Sequence, residues 1–487
     1  MKRLLSLLLI AAMTAAMLAC SPAAPAGTTA ASTTDDSVSS GVFRAGIGIS
    51  NITPSDSVPM QGFGQEDKHM SNGFASYIYV YCLAVQDSDG NTAMVVSADI
   101  CAIGTSQCTT LRNNINLATG IPVDNILITS IHQHSTPSPN AGVYTTFFSD
   151  CVVEAACDAM DDLAPCELYT NTVQTEGLNF VRNYLMSDGT HSHHGTNFSP
   201  NASVQPVAHE SEADRSLQLL KFAREGQKTA KGKDAKDIIV ANFATHPHSG
   251  SSSDSFTIHA DAPGIFREEV SAVLDSHVMY INGAGGNINQ SSVMANENIY
   301  SDYKQRGLAL AQYAINAEGG YTKVNAGKVQ ASVVSFTAEN DHSMDHLFEE
   351  ATAIYNHWLE YNMPETAMKM ATSGQIHEFR HAEAIVAKAK AGPTRELKIP
   401  AISFGDIGVT GGPYEMFDTN GMQIKEGAPM AMTIMCNMAN GNIGYVPSQL
   451  GYDNGGYSTD ITRLAPGSGE KLAQVMIDTL TQHRNNQ

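Results

Sequence analysis

The hydrophobic positions of this chain fall into short runs rich in β-branched residues, and polar or glycine-rich turns end most of these runs. Such runs predict buried strands, which we place at 78–85, 93–98, 126–131, 238–244, 278–281, 329–336 and 430–435. Elsewhere apolar residues recur with helical spacing. These segments predict helices at 106–119, 149–163, 265–274, 299–317, 344–360, 367–391 and 469–481. The alternation indicates an α/β fold, with a mixed β-sheet core and flanking helices.

Residues 1–19 have the layout of an export signal, because Lys2 and Arg3 precede an apolar stretch that small residues follow. Met17-Leu18-Ala19-Cys20 is similar to a bacterial lipobox, whose cysteine becomes lipid-modified. We therefore expect a lipoprotein signal peptide and a lipid anchor in the membrane. The alternative is an ordinary cleaved signal with an incidental cysteine.

The composition changes after this signal. Residues 20–41 are rich in Pro, Ala, Ser and Thr, which predicts a low-complexity tether, and 42–487 has the apolar content of one folded domain. Within that domain, 343–391 is rich in Glu, His and Ala and is expected to be a helical insertion. Ser21 after the cysteine favours the outer membrane as the place of an exported, lipid-anchored protein in the bacterial cell envelope.

The charge of the chain limits its partners. It has 28 Lys and Arg against 49 Asp and Glu, a formal net charge of −21. This charge argues against electrostatic binding of nucleic acid or anionic lipid. The sequence does not indicate an oligomeric state.

The cysteines allow two interpretations. Two groups are clustered, Cys101 with Cys108 and Cys151 with Cys157 and Cys166, and an exported protein can oxidise such residues. Buried thiols are the alternative. Because the eight cysteines form no CxxC pair, a metal would have to be held by histidines and carboxylates.

Histidines follow two predicted strands in the same pattern. The strand at 126–131 runs into His132 and His134, and the strand at 238–244 ends near His246 and His248. Residues two apart in an extended chain face the same side and lie roughly 7 Å apart. Two such pairs at strand ends predict one shared site, and imidazole is a common zinc ligand. His191, His193 and His194 are instead expected in a solvated loop.

Other polar residues lie in glycine-rich turns near predicted strands. Glu415 follows Gly411-Gly412-Pro413, and it could bind a metal, cap a helix or be solvated. Tyr445 and Tyr457 lie in similar turns. By themselves, these turns do not decide between the alternatives.

Taken in order, these segments resemble the neutral/alkaline, non-lysosomal ceramidase family, from Phe43 to about Gln487 and in the catalytic domain only. The matching segments are Ala45-Gly46-Ile47, Asn51-Ile52-Thr53-Pro54, the turn Pro59 to Gly64, IHQHSTP, FATHPHSG, HADAPG, NGAGGN, PYEMF and GYVP. Each is weak alone, but their shared order along one chain is specific.

The resemblance implies a role for individual residues. It implies Zn²⁺ as the cofactor, with the ligands His132, His246, Glu415 and Tyr445. It implies that the scissile carbonyl is contacted by His134 and Tyr457, with Arg182 as a third catalytic residue and substrate contacts at Gly62 and Asn289. Whether a second metal binds at His248 or Asp261 stays open, since Asp261 could equally cap the helix that follows.

One position departs from the family. The family carries a functionally important serine where this chain has Asn289, and an amide cannot act as a nucleophile. We therefore expect a zinc hydrolase of linear amides that acts through metal-activated water, with N-acylsphingosine-like lipids as the first substrate. The alternatives are another amide or ester substrate, or a lipoprotein that binds ligands through its zinc pocket without turnover.

Overall fold

The structure is a computed structural model that describes residues 42–62, 69–192, 203–248, 256–294, 297–361 and 363–487. The strands of three or more residues in these ranges are β1 (Arg44–Asn51), β2 (Tyr79–Gln86), β3 (Thr92–Ala98), β4 (Ile126–Ser130), β5 (Glu167–Gln174), β6 (Tyr184–Met186), β7 (Pro206–His209), β8 (Ser216–Ala223), β9 (Ile238–Phe243), β10 (His277–Asn282), β11 (Thr322–Val324), β12 (Val329–Glu339), β13 (Thr394–Phe404), β14 (Ile407–Gly411) and β15 (Met432–Cys436).

The α-helices of the described ranges are α1 (Thr105–Thr119), α2 (Val143–Asp161), α3 (Asp261–Leu274), α4 (Tyr303–Asn316), α5 (Phe348–Tyr361), α6 (Pro364–Met368), α7 (Phe379–Ala389), α8 (Asp418–Gly427), α9 (Gln449–Asn454), α10 (Tyr457–Ile461) and α11 (Ser468–Asn485). Short 3₁₀ turns lie at Val123–Asn125, Glu318–Gly320 and Asp345–Leu347.

Three mixed sheets form the body of the protein. The first has the order β4-β3-β2-β1 and continues to the two-residue strand Ala164–Pro165. The second has the order β10-β9-β8-β5-β11, and the third has the order β12-β13-β14-β15. Each sheet contains one parallel pair at an edge, namely β3 with β4, β9 with β10, and β14 with β15. The mixed α/β architecture expected from the sequence is confirmed.

Buried hydrogen bonds join the three parallel pairs. The Thr129 hydroxyl donates to the Asn437 carbonyl at 2.5 Å, which links the first sheet to the third. The Asn242 side chain donates to the Met435 carbonyl at 3.0 Å, which links the second to the third. The Ser97 hydroxyl donates to the Tyr280 carbonyl at 2.8 Å. Because buried polar groups need partners, these bonds fix the relative positions of the strands.

Apolar side chains fill the space between the sheets and the helices outside them. Leu83, Val240 and Ile434, one from each sheet, belong to the same central cluster. Helices α1 and α2 pack on the outer face of the first sheet, α3 and α4 on the second, and α8 and α11 on the third. Both faces of β3 are therefore covered, which explains why every residue of Thr92–Ala98 is buried.

The prediction of one helix at 367–391 is wrong, because the structure has two helices there, α6 and α7. The chain between them turns at Gly374, whose φ is +72°. The main-chain N–H groups of Thr372 and Ser373 donate to the Glu350 carboxylate and are therefore held outside a helix. The other predicted helices and the seven predicted strands are present with shifted ends.

Two further expectations concern covalent links and membranes. The seven cysteines of the described ranges form no disulfide with one another, so the thiol interpretation is the one that the structure supports. Within these ranges, no helix has the length and apolar content that a membrane crossing requires. The predicted signal, lipid anchor and tether lie outside the described residues and stay predictions.

Candidate metal centre

The carboxyl ends of the parallel pairs bring three distant residues together. His132 follows β4, His246 follows β9 and Glu415 follows β14. One nitrogen or oxygen atom from each of the three lies within 4.8 Å of the others, and all three side chains are buried. We call this group the strand-end cluster. It lies at the sheet edges, where binding groups commonly collect.

Main-chain carbonyls orient both imidazole rings of the cluster. His132 Nδ1 lies 3.0 Å from the Cys101 carbonyl oxygen, and His246 Nδ1 lies 3.2 Å from the Gly285 carbonyl oxygen. A carbonyl accepts, so each Nδ1 carries a proton and each Nε2 is turned towards the other side chains of the cluster. Histidines that bind metals are held by the same kind of hydrogen bond on their second nitrogen.

The Nε2 atoms of His132 and His246 and the Glu415 carboxylate face one another. His132 Nε2 lies 3.1 Å from Glu415 Oε2. Although this distance is short, Glu415 Oε2 is buried and accepts no aligned hydrogen bond from any described residue. A buried carboxylate oxygen without a donor costs free energy unless a cation compensates it. Two imidazoles and a carboxylate are also a donor set that zinc prefers, so these residues fit the metal expected from the sequence.

The charge of Glu415 affects its neighbours. Burial lowers the pKa of His132, but the Glu415 carboxylate opposes this effect and raises that pKa well above the ordinary value for imidazole. Burial, followed by the charge of His132, lowers the pKa of His246 well below the ordinary value. The carboxylate therefore draws positive charge to the centre of the cluster, and His246 stays neutral.

Tyr445 lies beside Glu415 because two very short strands pair. Glu415–Met416 and Tyr445–Val446 run parallel, with Glu415 opposite Tyr445. Burial, and then the Glu415 carboxylate, raise the pKa of Tyr445 well above the ordinary value for a phenol. A phenolate would therefore form here only with a cation beside it.

His134 faces the same centre from the other side. Its Nε2 lies 3.3 Å from His132 Nε2 and 3.2 Å from His246 Nε2. The main-chain N–H of His134 donates to the Pro247 carbonyl at 3.1 Å, which ties the two histidine segments together. Burial, and then the positive charge of His132, lower its pKa well below the ordinary value, so the ring is neutral.

Gly62 leaves the space that the His134 ring occupies. Its φ is +109°, and a Cβ built on it would lie 2.7 Å from both Cβ and Cγ of His134. A side chain at position 62 would therefore meet the ring and strain the backbone. This close approach is the structural reason for glycine at a position that the resemblance assigns to substrate contact.

Arg182 holds the two tyrosines near the cluster. Its Nη2 donates to the Gly286 carbonyl at 2.8 Å and to the Ser458 hydroxyl at 2.9 Å. The guanidinium carbon lies 5.3 Å from the ring centre of Tyr445 and 5.8 Å from that of Tyr457, within cation–π range. The two tyrosine rings meet edge to face, with their centres 5.9 Å apart.

Solved structures share this architecture over most of the chain. The crystal structure of neutral ceramidase from Pseudomonas aeruginosa superposes with a TM-score of 0.65 at 17% sequence identity, covering 91% of this chain and 75% of that chain. This chain has the fold of the neutral ceramidases. A ceramidase complexed with C2 also has a TM-score of 0.65, at 15% identity, covering 91% of this chain and 76% of its own. No protein-family model and no curated protein matches the sequence.

Asn289 occupies a buried position in this neutral ceramidase fold. The strand Ile288–Asn289 pairs with Phe180–Val181, directly before Arg182. Asn289 Oδ1 is buried and accepts no hydrogen bond from any described residue. The structure therefore places an amide with an unused acceptor next to the chain segment that carries Arg182.

The sequence left open whether His248 or Asp261 binds a second metal, and the structure places the two residues in different surroundings. The His248 ring lies 5.1 Å from that of His246 and 5.5 Å from that of His134, beside a cavity of about 390 Å³. Asp261 is the first residue of α3, and its Oδ1 accepts from the Ala262 N–H and from the Gln290 side chain. The N-cap of this helix is Ala260 and it has no side-chain capping bond, so the role of Asp261 stays open.

His191 lies in the short strand His191–Ser192 and so is not in a loop, whereas His193 and His194 lie outside the described residues.

Two main-chain carbonyls and one glycine shape the surroundings of the strand-end cluster, and none of the three was singled out from the sequence. The Cys101 and Gly285 carbonyls orient the imidazoles, and a Cβ at Gly286 would lie 2.6 Å from the Glu415 carbonyl oxygen. The glycine run Gly283 to Gly286 after β10 is the signal that could have indicated such a close approach.

Proposed function

We propose that this chain is a zinc-dependent hydrolase of linear amides. The substrate that we propose first is an N-acylsphingosine, whose hydrolysis would yield a fatty acid and a sphingoid base. The observation that carries the proposal is the strand-end cluster, in which two oriented imidazoles face a buried carboxylate. Its occurrence in the fold of the neutral ceramidases supports the choice of substrate.

The proposed ligands are His132, His246, Glu415 and Tyr445. When bound, zinc supplies a Lewis acid that polarises a carbonyl and makes a water molecule more acidic. The protein supplies the orientation of the donors, because the Cys101 and Gly285 carbonyls hold the rings. Glu415 supplies the negative charge that favours a dication.

His134 and Tyr457 are the proposed donors to the scissile carbonyl. His134 Nε2 points at the centre of the cluster, and its neutral ring retains one N–H that it can donate. Arg182 lies against the ring of Tyr457 and would hold it in place. Fixed donors directed at an oxygen that gains negative charge lower the barrier of amide cleavage.

The proposed anchor at Cys20 suits an amphiphilic substrate, because a lipid-anchored enzyme meets lipids at the membrane where they reside. We propose an outer-membrane location on the basis of Ser21. Neither the anchor nor the tether carries a residue of the strand-end cluster.

Asn289 favours a second candidate function, the hydrolysis of another amide or of an ester. Its buried, unused acceptor could receive a hydrogen bond from a substrate donor that a serine hydroxyl would bind differently. The variant Asn289→Ser tests this choice through kcat/KM. A higher kcat/KM for ceramide with a lower value for the alternative substrate would favour the second candidate. A lower value for ceramide would support ceramide as the substrate of the natural chain.

The decisive experiment measures zinc content and fatty-acid release from a short-chain fluorescent ceramide, before and after chelation and after zinc is restored. We expect release that chelation abolishes and zinc restores. Zinc without release would refute ceramide as the substrate. It would also direct the search to other amides and esters, and then to a binding lipoprotein without turnover. Release that is insensitive to chelation would refute the role of the metal.

A further inference from the structure

A second group of histidines and a carboxylate lies away from the strand-end cluster. His377 precedes α7, His381 is in its first turn, and Asp460 is in α10. Ligand atoms of these three residues all lie within 4.8 Å of one another. We call them the helical cluster. They join the segment 343–391 to the short helix that begins at Tyr457.

The distances within the helical cluster suit a metal. His377 Nδ1 lies 2.7 Å from Asp460 Oδ2, and His381 Nδ1 lies 3.7 Å from the same oxygen. Ligand atoms of a tetrahedral zinc site with bonds near 2 Å are separated by about 3.3 Å. The two observed distances lie on either side of this value, so small side-chain rotations would give all three residues a common centre.

The orientation of His381 is the second observation. The main-chain N–H of His377 points at His381 Nδ1 from 3.4 Å, so this ring nitrogen carries the lone pair. That nitrogen therefore carries no proton to share with the Asp460 oxygen 3.7 Å away, so the approach of His381 to Asp460 is not a hydrogen bond. A metal ion bound between them would replace the His377 N–H as the partner of this nitrogen.

The cluster is also accessible to an ion from solution. The side chain of His377 is 54% exposed, whereas those of Asp460 and His381 are 16% and 3% exposed. Nearby, Glu378 Oε1 is buried and accepts no hydrogen bond from any described residue. One open ligand and two fixed ones allow the ion to enter without unfolding.

We propose that His377, His381 and Asp460 form a second divalent-metal site that takes zinc and joins the helical segment to the helix carrying Tyr457. Two imidazoles and one carboxylate are a known ligand set for zinc, with water in the fourth position. The proposal does not depend on the hydrolase activity, because it concerns metal binding alone.

The test counts zinc in the full-length chain by mass spectrometry of the metal, after dialysis against buffer with micromolar zinc. The variant His246→Ala removes the strand-end site and should keep one zinc per chain. Adding Asp460→Asn to this variant should remove that zinc. The control is His342→Ala, which breaks an exposed pair with Asp345 at the start of the helical segment and should leave the count unchanged.

The outcomes separate the two sites. If His246→Ala binds no zinc, or if Asp460→Asn does not lower the count, the helical site is refuted. If the natural chain binds only one zinc and Asp460→Asn removes it, the helical site holds and the strand-end proposal fails. Cobalt added to His246→Ala offers a check without a change in the cluster, since a four-coordinate site gives strong visible absorption and its absence would overturn the proposal.

Discussion

The strand-end cluster and the helical cluster use the same residue types in different surroundings. His132, His246 and Glu415 lie between three sheets that buried hydrogen bonds hold together. The residues of the helical cluster lie between α7 and α10, and one of them is largely exposed. The comparison shows that the same ligands can form a rigid site or an adaptable one, depending on what fixes their backbone.

This difference predicts different metal affinities. Both imidazoles of the strand-end cluster are oriented by main-chain carbonyls, so little side-chain entropy is lost when a metal binds. The side chain of His377 is 54% exposed, so fixing it on a metal costs side-chain entropy that the buried imidazoles do not lose. We expect the strand-end cluster to keep its zinc during dialysis against a chelator for longer than the helical cluster.

The largest expected effect comes from His246→Ala, which removes one of the two buried imidazoles of the strand-end cluster. Zinc at the strand-end cluster should be lost, and amide hydrolysis should fall to the rate without enzyme, while helical zinc remains. Metal content and ceramide turnover measure the two effects, with His342→Ala as the control. Full zinc occupancy in His246→Ala would show that the ligand assignment is wrong.

A smaller effect is expected when the donors change and the ligands stay. The variants His134→Ala and Tyr457→Phe should keep strand-end zinc but lower kcat by about 10²–10³-fold, because each removes a donor to the developing negative charge. Steady-state kinetics and metal counting check this together. Loss of zinc in either variant would show that the substituted residue is a zinc ligand and not only a hydrogen-bond donor to the substrate.

Gly62→Ala should disturb His134 by steric contact, without removing any donor or ligand. The added Cβ would press on His134 in a backbone conformation with φ of +109°, at a cost of about 1–3 kcal/mol in the free energy of unfolding. We expect lower stability in urea and lower kcat with zinc retained.

Gly120→Ala is the matched control for this variant, because Gly120 also has a positive φ but no atom near the added Cβ. It should lose stability without losing kcat. Equal kcat values for the natural chain and Gly62→Ala would contradict a role for Gly62 in placing His134.

The smallest effect is expected from Glu350→Ala in the helical segment. This change removes the acceptor that holds the Thr372 and Ser373 N–H groups, so these two amides should exchange hydrogen faster. Strand-end zinc should not change, because Glu350 lies in α5, outside the three sheets. Slower turnover with lost strand-end zinc would show that the two regions are coupled more tightly than their packing indicates.

The sequence alone predicted the part of the site that follows regular strands. His132 and His246 come directly after long apolar runs, so their meeting at the sheet edges could be expected. Glu415 and Tyr445 were noted in glycine-rich turns, but only the resemblance made them ligands. The two-residue strands that pair them are too short to leave a hydrophobic pattern. Their roles as ligands, like those of His134, Tyr457 and Arg182, stay predictions.

Other features depended on contacts between distant parts of the chain. His377 and His381 have the spacing of one helical turn, but their partner Asp460 lies 79 residues after His381 (460 − 381). The break between α6 and α7 depends on Glu350, an acceptor more than twenty residues earlier. Local periodicity cannot report either contact, since both are made by tertiary packing.

The separation of the strand-end ligands along the chain also bears on how the protein matures. Residues 132, 246 and 415 meet only after all three sheets have assembled, so no partial chain contains the site. Such long-range contacts form late and slowly during folding. Metal uptake at this cluster would then report the last stage of folding, and the metal-bound fraction of a preparation would count the molecules that reached the native state.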